Sequence, residues 1–213
     1  MRIRERPHDY LMLKEAYFGN EYNAPDRFEQ GSVVVDIGAH IGMFAIRAIH
    51  AYAAVVIAVE PDRDNHAVLE ENMAEAAALT GASVQAVRCA INDVGGRVFL
   101  EKGIHETTNR IGESGDPVVA MPLDAILSLY GSVRFLKIDV EGYEQKILAA
   151  SKMLGRVQEI VVEVHPPDSD VDAVRGILCD SGFVVGSSRE VACGRVYLTG
   201  RRAAKPKLGD LTT

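Results

Sequence analysis

An acidic residue and two glycines follow the first apolar, β-branched run of the chain, in residues 33–42, which read VVVDIGAHIG. Such a run predicts a buried strand of a parallel sheet, and apolar residues at helical spacing over 41–49 predict the helix that follows. Gly38 suits a tight turn that lets backbone approach a ligand, and Gly42 lets the helix begin close to the sheet. The segment therefore indicates a ligand site, with an ordinary glycine-containing turn as the alternative.

Two phosphate-binding motifs are excluded at this turn. The dinucleotide fingerprint G-x-G-x-x-G needs a glycine where His40 stands, and the phosphate loop needs a lysine where Met43 stands. Asp36, at the end of the predicted strand, suits instead an ammonium group, whose hydrogen bonds it could accept directly or through water. S-adenosylmethionine carries such a group and is the predicted cofactor.

A second carboxylate stands at the end of the next predicted strand. The run 55–59 is apolar and β-branched, and Glu60, Pro61 and Asp62 follow it. A carboxylate at the tip of the second strand of a βαβ unit can accept hydrogen bonds from both ribose hydroxyls, so Glu60 is the predicted ribose ligand. The alternative is an acid at the N-terminus of the next helix, a role that suits Asp62 better.

A third group of charged residues, K-I-D-V-E-G-Y-E at 137–144, comes where a buried apolar strand gives way to a helix. Strand ends of this kind face the ligand crevice of an open α/β sheet. Asp139 and Glu141 fall on one side if the strand geometry continues, and Gly142 lets the chain bend. The pattern indicates the edge of an active site, with helix capping as the alternative, above all for Glu144.

A substrate group that loses a proton at this edge of the sheet benefits from a base that takes the proton. The candidate catalytic residues are Asp139, Glu141 and His165, of which His165 closes the apolar strand 159–164. Histidine is the usual base near neutral pH, although a lone histidine before two prolines can also serve only to bind loop carbonyls. Glu163 is a candidate for orienting the acceptor hydroxyl.

The carboxylates Asp139, Glu141 and Glu163 also raise a divalent cation as an alternative, because hard cations take several carboxylate oxygens. The sequence cannot place three oxygens around one ion. It therefore predicts no metal.

The polar stretch 102–110 has the composition of a substrate loop or lid. Its candidate acceptor contacts are His105, Thr107 and Asn109. A plain surface connection is the alternative.

Strands and helices alternate along nearly the whole chain, which predicts an α/β fold with a doubly wound, mostly parallel sheet and helices on both faces. Helices are predicted over 65–78, 123–129, 143–153 and 171–179, and strands over 84–89, 97–101, 133–138, 159–164, 183–185 and 195–199. The linker 186–194 is short enough for a hairpin, which makes the end of the sheet antiparallel. We divide the chain into an N-terminal helical segment that packs on the core (1–30), a catalytic domain (31–200) and a basic, flexible tail (201–213).

The composition predicts a soluble, cytoplasmic protein. The chain has 213 residues, 47% of them hydrophobic, and its formal net charge of −7 argues against a broad nucleic-acid surface. No apolar run approaches the roughly 20 residues that span a bilayer, and the first residues lack the apolar core of a signal peptide. Cys89, Cys179 and Cys193 are scattered, which indicates neither a disulfide framework nor a zinc site.

The chain resembles the FkbM family of S-adenosylmethionine-dependent methyltransferases in D-I-G-A-H-I-G at 36–42, E-P at 60–61 and K-I-D-V-E-G-Y-E at 137–144. The third segment is the specific one, because the glycine turn alone indicates only a class I methyltransferase. The resemblance implies a seven-stranded sheet of order 3-2-1-4-5-7-6 and methyl transfer, typically to a hydroxyl of a sugar or secondary metabolite. The expected partner is a small-molecule or carbohydrate acceptor, and a homodimer stays open.

The resemblance also implies candidate binding residues by position. Asp36, Gly38, Ala39, His40 and Gly42 are assigned to the methionine end of the cofactor. Glu60 and Pro61 are assigned to its ribose, and Ala90, Ile91 and Asn92 to its adenine. Asp139 is assigned a place beside the transferring methyl. Tyr22, before the first strand, is a candidate for closing the site over the acceptor, with a core or surface position as the alternative.

Two other classes of function stay open on the sequence alone. Methylation of nitrogen or of RNA is weakened by the absence of a [DN]-P-P-[YF] motif after the fourth strand and by the acidic charge. A nucleotide-binding protein without methyl transfer is weakened by the missing third glycine and by the acidic residues at the strand ends.

Overall fold

Apolar, β-branched runs form the central strands of a mostly parallel sheet. The computed structural model describes residues 1–103, 109–186, 189–190 and 194–203. The strands are β1 (Val33–Ile37), β2 (Val55–Val59), β3 (Ser83–Val87), β4 (Ala90–Asn92), β5 (Gly96–Glu101), β6 (Arg110–Gly112), β7 (Asp116–Pro122), β8 (Val133–Ile138), β9 (Val157–Val164), β10 (Phe183–Val185), β11 (Arg189–Glu190) and β12 (Val196–Arg202). The α-helices are α1 (Pro7–Met12), α2 (Met43–His50), α3 (Arg63–Thr80), α4 (Leu123–Leu127), α5 (Glu144–Ala150) and α6 (Val171–Asp180).

The main sheet has the strand order β3-β2-β1-β8-β9-β12-β10, and β11 adds a short eighth strand beside β12. Seven strands thus follow the order that the family resemblance implies. The eighth was not predicted, because β11 lies in the stretch 186–194, which the sequence assigns to a hairpin linker. Residues 187–188 and 191–193 of that linker lie outside the described part. The strands from β3 to β9 pair in parallel, and β12 is antiparallel to both of its long neighbours. The α/β class and the antiparallel end of the sheet are confirmed.

A second sheet, of order β4-β7-β5-β6, was predicted only in its β5 strand. Its apolar interior is small, because the buried cluster there consists of Ala90, Leu100, Val118 and Ala120. β7 escapes prediction because its residues, DPVVAMP, are partly exposed and carry a proline near each end. The stretch 102–110 is not irregular throughout, since β6 begins at its last residue.

Helix boundaries differ from the predictions by a few residues. α3 begins before the predicted residue 65, because Asp62 caps it: Oδ1 of Asp62 accepts the backbone N–H groups of Asp64 and Asn65, each at 2.9 Å. Gly81, with a φ of 75°, ends the helix in the left-handed conformation. Among the described residues, no helix is both long and apolar enough to cross a membrane.

The two ends of the chain add to the sheet and its cover. β12 runs to Arg202, so Arg201 and Arg202 belong to the main sheet, although the sequence assigns them to the tail. At the other end, α1 continues into a π-helical segment, Leu13–Phe18, and Ala16, Tyr22 and Phe28 enter the core beside α2 and α3. The domain boundaries at 30 and 200 stay a prediction.

The cap of α3 yields a first testable prediction. We expect Asp62→Ala to lower the free energy of unfolding by about 1 kcal/mol, because two backbone N–H groups lose their acceptor. Chemical denaturation followed by circular dichroism measures the change. Asp64→Ala, at an exposed position in the first turn, is the matched control, and an equal loss in both variants would contradict the capping role.

Candidate active site

A cavity of about 470 Å³ opens at the carboxyl ends of β1, β2, β8 and β9, where open α/β sheets bind their ligands. Most residues that the sequence singles out line it: Tyr22, Gly38, His40, Glu60, Pro61, Ala90, Ile91, Asn109, Asp139, Glu141, Glu163 and His165. Four predicted cofactor residues, Asp36, Ala39, Gly42 and Asn92, are not among the described residues that line it. The predicted acceptor contacts His105 and Thr107 lie outside the described residues.

The glycine turn after β1 has the predicted conformation, although protein rather than ligand occupies the space beside its glycines. Gly38 has a φ of 76°, and a Cβ there would overlap the carbonyl oxygen of Asp139. Gly42 has a φ of 92°, and a Cβ there would lie 2.7 Å from the Leu69 side chain of α3. The turn is therefore locked between the end of β8 and α3. His40, with a φ of 51°, also lies in the left-handed region.

Asp36 lies behind the cavity and pairs with a lysine. Its side chain is fully buried, and its Oδ1 lies 3.1 Å from Nζ of Lys137 on β8. That Nζ also donates to the carbonyl oxygen of Gly38 at 2.7 Å and lies 3.5 Å from Oδ2 of Asp139. Burial opposes the charge on Lys137, but Asp36 and Asp139 outweigh it and raise the lysine pKa. The structure thus gives Asp36 a contact within the protein, whereas the sequence predicted a contact with the cofactor.

Glu60 lies at the tip of β2 and faces the cavity, with 6% of its surface exposed. Its Oε2 accepts the backbone N–H of His40 at 2.8 Å, and its Oε1 accepts that of Asp62 at 3.0 Å. Burial raises the pKa of Glu60 to about 7, although these two bonds and the Asn65 side chain lower it. A carboxylate held in this way is placed at the strand tip with its remaining lone pairs available to a ligand.

The predicted adenine end divides into two parts. Ala90 and Ile91 line the cavity with apolar surface, as an adenine face requires. Asn92 is buried and serves the following turn, because its Oδ1 accepts the backbone N–H of Gly95 at 2.6 Å. Asn109, which follows the stretch 104–108 outside the described residues, lines the cavity and donates to Oδ2 of Asp62 at 3.3 Å.

The residues at the ends of β8 and β9 converge on His165. Its Nε2 lies 3.5 Å from Oε2 of Glu141 and 3.8 Å from both Oδ1 of Asp139 and Oε1 of Glu163. Its Nδ1 lies 2.9 Å from Oε1 of the buried Glu144, which also accepts the backbone N–H of Gly142 at 3.0 Å. Glu144 therefore holds both the loop at Gly142 and the imidazole of His165. The capping alternative predicts contacts with backbone N–H groups but not the contact with His165.

The charges in this group decide how it holds protons. Burial lowers the pKa of His165, but the bond to Glu144 and the charges of Asp139 and Glu141 raise it to about 10. Burial and the charge of Asp139 raise the pKa of Glu141 to about 8. The raised pKa favours the protonated imidazole, which weakens the case for His165 as the base that the sequence predicts. The catalytic roles of His165, Asp139 and Glu141 stay predictions.

Two side chains at the His165 end of the cavity were missed from the sequence. Arg195 and Tyr197 line the cavity and bind Glu163: Nη1 of Arg195 lies 2.5 Å from Oε1, and the Tyr197 hydroxyl donates to Oε2 at 2.9 Å. Both oxygens of Glu163 thus have partners, which leaves less of it for an acceptor hydroxyl. Register could have found Tyr197, because antiparallel pairing of β12 with β9 places it opposite Glu163.

Tyr22 reaches the site from the core. Its ring is buried edge-to-face against Phe44 and Tyr197, and its hydroxyl donates to Oδ2 of Asp139 at 3.3 Å. The structure therefore gives this residue both the core position and the contact with the site. Tyr22 turns one oxygen of Asp139 away from His165 and leaves the other facing it.

The N-terminal segment forms one wall of the cavity, through side chains that include Leu11 and Met12. The guanidinium of Arg4 clamps this segment to the rest of the site. It binds both oxygens of the buried Asp9 at 2.8 Å and Oδ1 of Asn65 at 2.8 Å. The sequence did not predict this wall, because nothing in residues 1–18 marks a binding motif.

Two methyltransferases are among the solved structures that share this fold. The methyltransferase FkbM from Methylobacillus flagellatus KT aligns with a TM-score of 0.63 and 21% identity over 92% of this chain and 50% of that chain. The magnesium protoporphyrin IX methyltransferase ChlM from Synechocystis PCC 6803, solved with bound SAH, aligns with a TM-score of 0.56 and 12% identity over 95% of this chain and 90% of that chain. These likenesses show that the chain has the Rossmann-like fold of the two proteins. The chain spans half the length of the Methylobacillus protein.

The sequence comparisons narrow this class to a family. Residues 36–185, well over half of the chain, match the model of the methyltransferase FkbM domain. The 31-O-demethyl-FK506 methyltransferase FkbM of Streptomyces tacrolimicus is 26% identical over 200 aligned residues, which cover 75% of each chain. The chain belongs to the FkbM methyltransferase family, as the motifs at 36–42 and 137–144 predict.

Proposed function

We propose that the chain transfers the methyl group of S-adenosylmethionine to a hydroxyl of a sugar or secondary metabolite. The observation that best supports this cofactor is the placement of Glu60. It is a buried carboxylate at the tip of β2 that faces the cavity beside Gly38 and His40. A carboxylate there suits the two ribose hydroxyls. Ala90 and Ile91 supply an apolar surface to the adenine in the same cavity.

The reaction is an in-line displacement at carbon. The acceptor oxygen forms a bond to the methyl carbon as the carbon–sulfur bond breaks, the sulfonium becomes a neutral thioether, and the hydroxyl proton leaves to a base. The protein's main contribution is to hold the two reactants about 3 Å apart in line. Asp139 lies beside the glycine turn at the end of β8, which suits a position next to the transferring methyl.

The polar end of the cavity supports a small, hydroxylated acceptor. Glu141, Arg195 and Tyr197 line it with hydrogen-bonding groups, and a volume of about 470 Å³ lies in the range of small-molecule sites. The net charge of −7 disfavours RNA as the acceptor. The name of the Streptomyces tacrolimicus relative describes O-methylation of a small molecule by that protein, which supports the same reaction type.

Two measurements, made one after the other, test the proposal. Calorimetry with S-adenosylmethionine, S-adenosylhomocysteine and NAD tests the cofactor, and we expect the first two to bind. Binding of NAD alone would overturn the proposal. Mass spectrometry of reactions with panels of sugars, polyketides, peptides and RNA then tests the acceptor, and a gain of one methyl on nitrogen or on RNA would overturn O-methylation of a small molecule.

The raised pKa of Glu60 predicts a pH-dependent affinity for the cofactor. Ribose hydroxyls donate to the ionised carboxylate, and with a pKa of about 7 only about one tenth of Glu60 is ionised at a pH of about 6. We therefore expect the Kd for S-adenosylmethionine to rise about tenfold as the pH falls from about 8 to about 6. Calorimetry at each pH measures this change.

Glu60→Gln serves as the control for this pH profile. It keeps the shape of the side chain and one acceptor oxygen, so only one of the His40 and Asp62 N–H groups retains its partner, and it has no charge to lose. We expect the variant to bind S-adenosylmethionine about tenfold more weakly at high pH, with little further change on acidification. A pH profile in the variant that matches the unchanged protein would show that another group, such as the cofactor's own amine, causes the dependence.

A further inference from the structure

The space beside Nε2 of His165 is bordered by oxygen atoms that lie too far away for hydrogen bonds. Nε2 lies at ion-pair distance from three of them, 3.5 Å from Oε2 of Glu141 and 3.8 Å from both Oδ1 of Asp139 and Oε1 of Glu163, but it has no hydrogen-bond partner among the described residues. The His165 side chain is only 11% exposed, so solvent has little access to this nitrogen. Buried polar atoms in proteins nearly always have a partner, and one without a partner calls for an explanation.

The two separations from Nε2 of His165 are those expected between ligands of one metal ion. Ligand atoms about 2.1 Å from a common ion are about 3 Å apart when adjacent and about 4.2 Å apart when opposite. The two distances from Nε2 fall between these limits. One ligand atom each from Asp139, Glu141 and His165 lies within 4.8 Å of the others.

Neighbouring groups hold the remaining atoms of these side chains and direct the free ones toward this space. Glu144 takes Nδ1 of His165 at 2.9 Å, the carboxylate–histidine contact that orients metal-binding imidazoles. Tyr22 and Lys137 lie 3.3 and 3.5 Å from Oδ2 of Asp139, so its Oδ1 faces His165.

Glu163 is not part of this group of three, and its two oxygens bind Arg195 and Tyr197. The donor set is therefore two carboxylates and one imidazole. All-oxygen sites favour Mg²⁺ and Ca²⁺, whereas an imidazole suits transition ions.

We propose that Asp139, Glu141 and His165 bind one divalent cation of the first transition row, whose remaining positions face the cavity and take an oxygen of the acceptor. The first part stands on the geometry of the three side chains. The second part rests on the proposed function, because it requires a hydroxylated acceptor in the cavity. The sequence predicted no metal, because it could not place the oxygens of Asp139, Glu141 and Glu163 around one ion, and it offered His165 only as a base.

Mn²⁺ is the probe for this site, with the full chain treated with a chelator and then dialysed. The electron paramagnetic resonance signal of free Mn²⁺ falls as the ion binds, and calorimetry gives the stoichiometry. We expect one Mn²⁺ per chain, and we expect Glu141→Gln and His165→Gln each to weaken binding by at least about tenfold. Glu29→Gln, which makes the same change of charge at an exposed residue outside the cavity, leaves binding unchanged.

The proposal fails if the unchanged protein binds no stoichiometric Mn²⁺, or if Glu29→Gln loses as much binding as the variants at the site. A crystal soaked in Mn²⁺ tests the site without any variant, since the anomalous peak must lie between the three side chains and a peak elsewhere overturns it. S-adenosylmethionine binding is measured separately without metal. If the unchanged protein binds Mn²⁺ but does not bind S-adenosylmethionine, the proposed function is refuted and the proposed metal site is not.

Discussion

Gly38→Ala is expected to abolish detectable binding of S-adenosylmethionine and to lower the free energy of unfolding by about 2–5 kcal/mol. Two causes add. Gly38 has a φ of 76°, which an alanine adopts only with strain, and the new Cβ would overlap the carbonyl oxygen of Asp139. Backbone cannot move aside as a flexible side chain can. The end of β1 must therefore separate from β8, and this displaces the turn that forms one side of the cavity.

Two other glycines separate these causes. Gly81 has a φ of 75°, and a Cβ added there would meet no atom within 4 Å, so Gly81→Ala carries the conformational strain alone, about 1–2 kcal/mol. Gly176 lies within α6 with free space and an ordinary φ, so Gly176→Ala is expected to stabilise the protein slightly. Chemical denaturation and calorimetry of the three variants give the comparison. A loss in Gly38→Ala no larger than that in Gly81→Ala would mean that the contact with Asp139 relaxes.

The sequence predicted the main sheet well because its central strands, β1, β2, β8 and β9, are buried on both faces. Runs such as 33–35 and 55–59 are apolar throughout, and their order follows from a motif that the family resemblance supplies. The second sheet gave no such pattern, because its strands β4 and β6 are short and β7 is half exposed. Burial on one face of a small sheet leaves too few apolar residues to distinguish a strand from a loop.

A site residue was predictable from the sequence where the end of a single strand is enough to place it in the cavity. Glu60 follows β2 directly, and its place in the cavity needs no other element than the strand. The partner of His165 is different, because Glu144 lies 21 positions earlier in the chain and meets it only through the packing of α5 on β9. The Arg4 clamp is similar, since it joins residues far apart in the sequence. Side-chain partners of this kind have no local pattern.

The pairing of Asp36 with Lys137 leads to the second large prediction. We expect Lys137→Met to lower the free energy of unfolding by about 3–5 kcal/mol, because it leaves a fully buried carboxylate without its counter-charge. Asp36→Asn leaves the lysine with Asp139 at 3.5 Å and the carbonyl of Gly38 at 2.7 Å, so a smaller loss is expected. The double variant removes both charges and is expected to be more stable than Lys137→Met alone.

Chemical denaturation of the four proteins gives the coupling energy between the two positions as a double-mutant cycle. The cycle also distinguishes the two roles that Asp36 can have. If Asp36 serves mainly to hold Lys137, the coupling is large and folded Asp36→Asn binds S-adenosylmethionine better than Glu60→Gln does. If Asp36 instead contacts the ammonium group of the cofactor, the affinity of Asp36→Asn falls below that of Glu60→Gln. If the losses of unfolding free energy in the two single variants add in the double variant, the coupling is near zero. Lys137 would then serve mainly Asp139 and the Gly38 carbonyl, and its pairing with Asp36 would contribute little to the stability of the turn.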